Sequence, residues 1–186
     1  MKKLLLAAMI AGAFSGAAIA AEGADSGGAG GKVTDQGSGT VTFTGSIIDA
    51  PCSIDAESAD QVVELGSISN VVLQADNGAG KSRPKSFQIK LTECSVPTGK
   101  TVQTTFTGQE GVNGHLAVTG QAKGAGIVLA DLDGKPLKLG TPSAAASLQN
   151  GDNQLQFSAY MQGDGDSKKI VPGDFKAVAD FRLSYQ

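Results

Sequence analysis

Phe175-Lys-Ala-Val-Ala-Asp-Phe-Arg-Leu-Ser-Tyr-Gln186 places Phe175, Ala177, Ala179, Phe181, Leu183 and Tyr185 on every second residue. Lys176, Asp180, Arg182 and Ser184 fill most of the positions between them. Side chains of a strand alternate between its faces, so the pattern predicts a half-buried β-strand over the whole stretch. No further strand follows it in the sequence. Its apolar face is therefore expected to need a neighbour supplied from elsewhere.

Working back from that stretch, the same signature recurs at short intervals. Ser86–Thr92 alternates with Phe87, Ile89 and Leu91 inward, and Gln154–Gln162 with Leu155, Phe157, Ala159 and Met161 on one face. Gln61–Leu65, Thr101–Phe106, His115–Thr119 and Gly126–Asp131 are further predicted strands, the last turning at Asp133-Gly134, a strong hairpin signal. Ile47–Cys52 is expected to continue as a strand into the core. Helix is limited to single turns near Val71–Gln74 or Pro142–Leu148. With 26 Gly, no Trp and turn residues between strands, the chain reads as an all-β domain, a β-sandwich.

The other end is organised differently. Met-Lys-Lys, a charge-free apolar run from Leu4 to Ile19 and the small-x-small Ala18-Ile-Ala20 predict a signal peptide over residues 1–20, cleaved between Ala20 and Ala21. The formal charge of −3 becomes −5 once Lys2 and Lys3 leave, with 13 basic residues against 18 acidic. That balance offers no basic footprint for nucleic acid. Residues 21–31 hold too little apolar surface to pack and predict a flexible leader. In Lys32–Gly45, by contrast, Val33, Gly37, Gly39, Val41 and Phe43 share one parity, Asp35 being the exception. This arm is one-sided and precedes the first cysteine. In an exported protein Cys52 and Cys94 are most simply one disulfide. A zinc site is the weaker alternative, since two Cys and one His need help from carboxylates.

Little in the sequence points to catalysis. His115, the only histidine, stands beside a turn with no evident partner, and no G-x-S-x-G accompanies it. Asp131-Leu-Asp-Gly134 resembles the start of a calcium loop, but Lys135 and Pro136 occupy positions where oxygen ligands are needed. A hairpin turn is the stronger reading. The lack of Trp argues against a sugar-stacking cleft, and one histidine cannot build a copper–zinc dismutase site. The chain is expected not to be an enzyme, with no cofactor and no metal.

Three segments together carry a resemblance: Gly39-Thr-Val-Thr-Phe-Thr-Gly-Ser-Ile-Ile-Asp-Ala-Pro-Cys-Ser-Ile54, the second cysteine in Leu91-Thr-Glu-Cys94, and the ending Ala179-Asp-Phe-Arg-Leu-Ser-Tyr-Gln186. With the penultimate Tyr185 and with Gly173, fourteenth from the end, they resemble the major structural pilins of chaperone–usher fimbriae, of the P-pilus and mannose-resistant shaft type. The resemblance spans nearly all of Gly37–Gln186. It implies an incomplete immunoglobulin-like β-sandwich lacking its final strand, over residues 44–186, completed by a donor strand from a neighbouring subunit. Residues 21–43 become leader and N-terminal donor arm, with Val33, Gly37, Gly39, Val41 and Phe43 as donor residues. Gly173, Ala179, Phe181, Leu183 and Tyr185 become the acceptor groove and C-terminal strand.

The partners so implied are other copies of the chain joined head to tail, other pilins of the same fibre, a periplasmic chaperone and an outer-membrane usher. Strand donation of this kind is β-augmentation, of which chaperone–pilin pairs are an established example. The expected product is an adhesive fimbria on the cell surface, reached through the periplasm. A minor or tip-associated subunit with a glycan-binding role is the alternative. A tip adhesin of this class normally adds a receptor domain and lacks a donor arm, which favours the shaft. Two features depart from the usual arm: the glycine-rich leader is longer, and Asp35 stands where the family favours an apolar or small residue.

Overall fold

The structure is a computed structural model that describes residues 37–165 and 169–186. The chain divides into two units, Met1–Gly45 and Ser46–Gln186. Of the first, residues 37–45 are described; they form no strand, and Val41 and Phe43 are exposed.

The second unit contains β1 (Ser53–Ile54), α1 (Ala56–Ala59), α2 (Asn70–Gly78), β2 (Lys85–Cys94), β3 (Thr101–Gly108), a 3-10 turn at Val112–Gly114, β4 (Thr119–Gly120), β5 (Ala125–Ala130), β6 (Ala146–Ser147), β7 (Gly151–Gly163), β8 (Phe175–Lys176) and β9 (Ala179–Tyr185). One sheet has the order β1-β2-β7-β5, a second β6-β3-β9, and β4 pairs with β8 alone; every pairing is antiparallel. The period-2 patterns explain the layering. Phe87 lies opposite Phe157 and Ile89 opposite Leu155. On the facing sheet Val102 lies opposite Tyr185, Thr104 opposite Leu183 and Phe106 opposite Phe181. These inward sets meet in one core that includes Ile89, Leu91, Val102, Phe106, Leu155 and Phe157.

Three aromatic rings join the sheets. Phe106 meets Phe157 edge-on at 4.9 Å and Phe87 at 6.1 Å, the perpendicular arrangement that ring quadrupoles favour. Cys52 and Cys94 form the expected disulfide across 42 residues. It ties the start of the domain to the end of β2.

Several elements differ from the sequence expectation. Ile47–Cys52 forms no strand; Ile47 and Ile48 are exposed, and only Ser53 and Ile54 pair with β2. The reason is geometric. β2 ends at Cys94, and the bond from Ser95 N–H to Pro51 O (2.9 Å) is the last backbone link, so residues before Pro51 have no strand alongside. Gln61–Leu65 also forms no ladder. After β1 the chain is held to the β2 edge by α1, whose cap Asp55 donates N–H to Lys90 O (3.0 Å) and whose Ser58 Oγ accepts from Lys90 N–H (3.0 Å). Gln61 then reaches β2 only through its side chain, Nε2 to Gln88 O at 3.3 Å.

The closing stretch is two strands rather than one, since β8 pairs with β4 and β9 with β3. The helical turn near Val71–Gln74 extends over Asn70–Gly78, kinked at Ala75–Asn77; Pro142–Leu148 supplies β6 and no helix. His115–Thr119 contributes only two bridges at Leu116, to Glu110 and to Ile127, and the start of β4.

Candidate functional site: an open groove beside the closing strand

Ala179, Phe181, Leu183 and Tyr185 point toward the core, yet all four are only half-buried, whereas Val102, Thr104 and Phe106, opposite three of them on β3, are buried. The difference arises because β9 is an edge strand. It pairs with β3 on one side, and no described residue lies against its other edge. There a groove of about 580 Å³ opens, floored by Phe87, Phe106, Ile127, Leu129 and Ala159. It continues into a second stretch of about 710 Å³ that reaches Gly173–Phe175 and Ile68, the two sharing Val63, Leu65, Ala177 and Ala179 as walls.

Opposite β9, the far wall is the segment Gln61–Ile68. Val63, Leu65 and Ile68 are half-buried while Val62 and Glu64 are exposed, so the strand-like alternation is kept without a strand's partner. No backbone N–H or C=O of residues 61–68 bonds to the backbone of another described residue. The groove is thus an apolar trough whose two rims have no backbone partner among the described residues. Unpaired edges of this kind are templates for an added strand.

Of the residues singled out in the sequence, Ala179 and Phe181 line the first stretch and Gly173 the second. Leu183 and Tyr185 lie against the core further along β9 and are not part of the groove lining. Burial raises the Tyr185 phenol above its ordinary pKa. Gly173 sits where backbones crowd: a Cβ there would stand 2.6 Å from Gln121 Cβ and 2.9 Å from the Ala122 nitrogen. Among the arm residues, Gly37, Gly39, Val41 and Phe43 are described and exposed, whereas Val33 and the cleavage pair Ala20–Ala21 lie outside the described residues.

The sequence reading missed the far wall and the floor. The alternation of Gln61–Leu65 predicts a strand but does not show that it walls a groove; Phe106, Ile127 and Leu129 look like any core residue. The Asp131 carboxylate accepts from Lys135 N–H (2.8 Å), and Gly134 N–H donates to Asp131 O (3.1 Å). Those atoms close the hairpin turn read from the sequence. Among the described residues no helix is long and apolar enough to cross a membrane.

Comparison with known proteins follows the same line. The fimbrial protein family matches residues 41–186. The chain is 51% identical over 188 aligned positions to the Fimbria A protein of Serratia marcescens, covering 100% of this chain and 99% of that protein. It is 52% identical over 155 positions to the Major MR/P fimbria protein of Proteus mirabilis, covering 82% and 86%. The crystal structure of the P pilus rod subunit PapA superposes with a TM-score of 0.64 at 33% identity, over 74% of this chain and 100% of that one. A subunit of a chaperone–usher pilus described for its rod uncoiling does so with a TM-score of 0.68 at 34% identity, over 81% and 97%. Its fold is therefore the immunoglobulin-like sandwich of pilins, and the chain belongs to the fimbrial protein family as a structural subunit of a surface fimbria.

Proposed function

We propose that the groove between β9 and Gln61–Ile68 is an acceptor for an extended strand, and that in the fibre this strand is the N-terminal arm of another copy. The observation that carries the reading is the pair of backbone rims, without backbone partners among the described residues, that face each other across one apolar trough. An inserted strand bonds to both rims, and its alternate side chains displace water from Phe87, Phe106, Ile127 and Leu129, as in β-augmentation. The arm suits this by its own pattern. Val33, Val41 and Phe43 supply apolar side chains on one parity, while Gly37 and Gly39 allow close backbone approach. Fully extended, Val33–Phe43 spans about 35 Å.

In this reading residues 1–20 are removed on export, residues 21–43 are leader and donor arm, and residues 44–186 are the acceptor domain. Before assembly a periplasmic chaperone lends the missing strand, and an outer-membrane usher hosts its exchange for the arm. Because donor and acceptor are different surfaces of one chain, the contact does not close on itself and builds a fibre. The role is structural and not catalytic.

Deleting Lys32–Phe43 tests the assignment. The truncated subunit is expected to be captured by its chaperone and to accept a neighbour's arm, but to donate none, so fibres stop growing. Fibres of normal length seen by electron microscopy from that deletion alone would refute it.

A further inference from the structure

The free edge of β5 is covered by the loop Gln109–Ala117. Leu116 exchanges both backbone hydrogen bonds with Ile127 (2.8 and 2.9 Å). The loop closes on itself through Gly111 N–H to His115 O (2.7 Å), Ala117 N–H to Gln109 O (2.8 Å) and His115 N–H to Val112 O (3.1 Å). His115 directly precedes the residue that covers the edge. It lies tightly on β5, because a Cβ at Gly126 would come within 2.7 Å of His115 Cβ. Its Nδ1 is buried and has no hydrogen-bond partner among the described residues.

The charged groups around the imidazole oppose one another. Asp164, just past β7, favours the charged ring and Lys81 disfavours it. Lys138 lines the same cavity of about 200 Å³ as His115, and Glu110 Oε1 lies 3.5 Å from the Cβ position of Gly114 in the loop. Burial is the largest influence, and it holds His115 below its ordinary pKa.

We propose that His115 is a proton-sensitive latch, which keeps the loop Gln109–Ala117 on the β5 edge at neutral pH and releases it in acid. The protonated ring carries N–H on both nitrogens, so in the closed loop the buried Nδ1 donates to no described acceptor and a charge stands in a site that burial disfavours. Opening the loop wets the ring and removes both penalties, at the expense of the Leu116–Ile127 bonds. The sign follows from linkage. A histidine whose closed-state pKa is lowered binds its proton more readily when open, so the closed state weakens as pH falls below the ordinary value of about 6.5. The weakening is at most about tenfold per pH unit and stops once the closed loop itself protonates.

Amide hydrogen exchange read by mass spectrometry on assembled fibres, corrected for intrinsic rates, tests this at pH 7.5 and 5.0. Peptides containing Leu116 and Ile127 are expected to lose several-fold protection in acid, while the β2 and β3 peptides do not. In His115→Gln the acid loss should vanish. Equal protection at both pH values in the native fibre overturns the latch, as does the same acid loss in the variant. If the variant does not assemble, exchange at the imidazole C2–H of native fibres decides the matter, since a His115 pKa at or above 6.5 is incompatible with it.

Discussion

At the residue scale the domain depends on a few side chains that close the gap between the sheets. Phe106 is buried against Phe87 and Phe157 and also floors the groove. Phe106→Ala should therefore cost about 3–5 kcal/mol, seen as a lower urea midpoint against the parent protein in the same assembly state. Ile89, fully buried and outside the groove lining, should cost about 2–5 kcal/mol as Ile89→Ala. Tyr185 gives a pH signature. Its pKa is raised in the folded protein, so its contribution is present below about pH 10 and is lost as pH rises through the folded value. Tyr185→Phe should flatten the alkaline fall in thermal midpoint; an unchanged fall would assign it to other groups. Alternation in the sequence was enough to place Phe87, Ile89, Leu155 and Phe157 inward. It could not show that Phe106 and Ile127 line the groove while Ile89 does not, because inward parity is the same within a core and along a groove floor.

Among the elements, the disulfide and the two rims have separable roles. The Cys52–Cys94 bridge closes 42 residues that include α1, α2 and β2. In the chain-entropy picture its loss costs about 3–4 kcal/mol. The double change Cys52→Ser with Cys94→Ser should lower the denaturation midpoint and the yield of subunit before it affects fibre joining in whatever folds. The far rim makes the converse prediction. Val63→Asp puts a charge on a groove wall whose backbone has no described backbone partner. It should leave the circular dichroism of the subunit nearly unchanged and stop strand acceptance in a mixing assay with a peptide spanning Lys32–Gly45. Retained acceptance would move the binding surface away from this rim. Element type was legible where a partner strand existed, as in β2, β3, β5 and β7. It failed at Ile47–Cys52 and Gln61–Leu65, because a period-2 pattern describes a face to be buried and carries no information on whether a ladder partner is present.

For the whole molecule, the proposed joint makes the sandwich of one copy continuous with the arm of the next. Assembly that buries the strand of one copy in the next should dissociate slowly, since release requires every ladder bond and pocket contact to break together. Fibres run on a denaturing gel without boiling should give a ladder of multimers that collapses to one band after prolonged heating; a single band in both lanes would exclude inserted strands as the joint. Composition and strand periodicity were sufficient for the all-β class, because side chains of a strand alternate between its faces, and two cysteines in a chain read as exported were sufficient for the disulfide. The resemblance in Gly39–Ile54 and Ala179–Gln186 supplied the immunoglobulin-like arrangement. What only the tertiary structure decided is that the second rim is Gln61–Ile68, that Leu183 and Tyr185 lie beyond the trough, and that the last stretch divides between β4 and β3. These depend on which segments become neighbours across the fold. An exposed strand edge is defined by the absence of a neighbour, and local sequence cannot encode that absence.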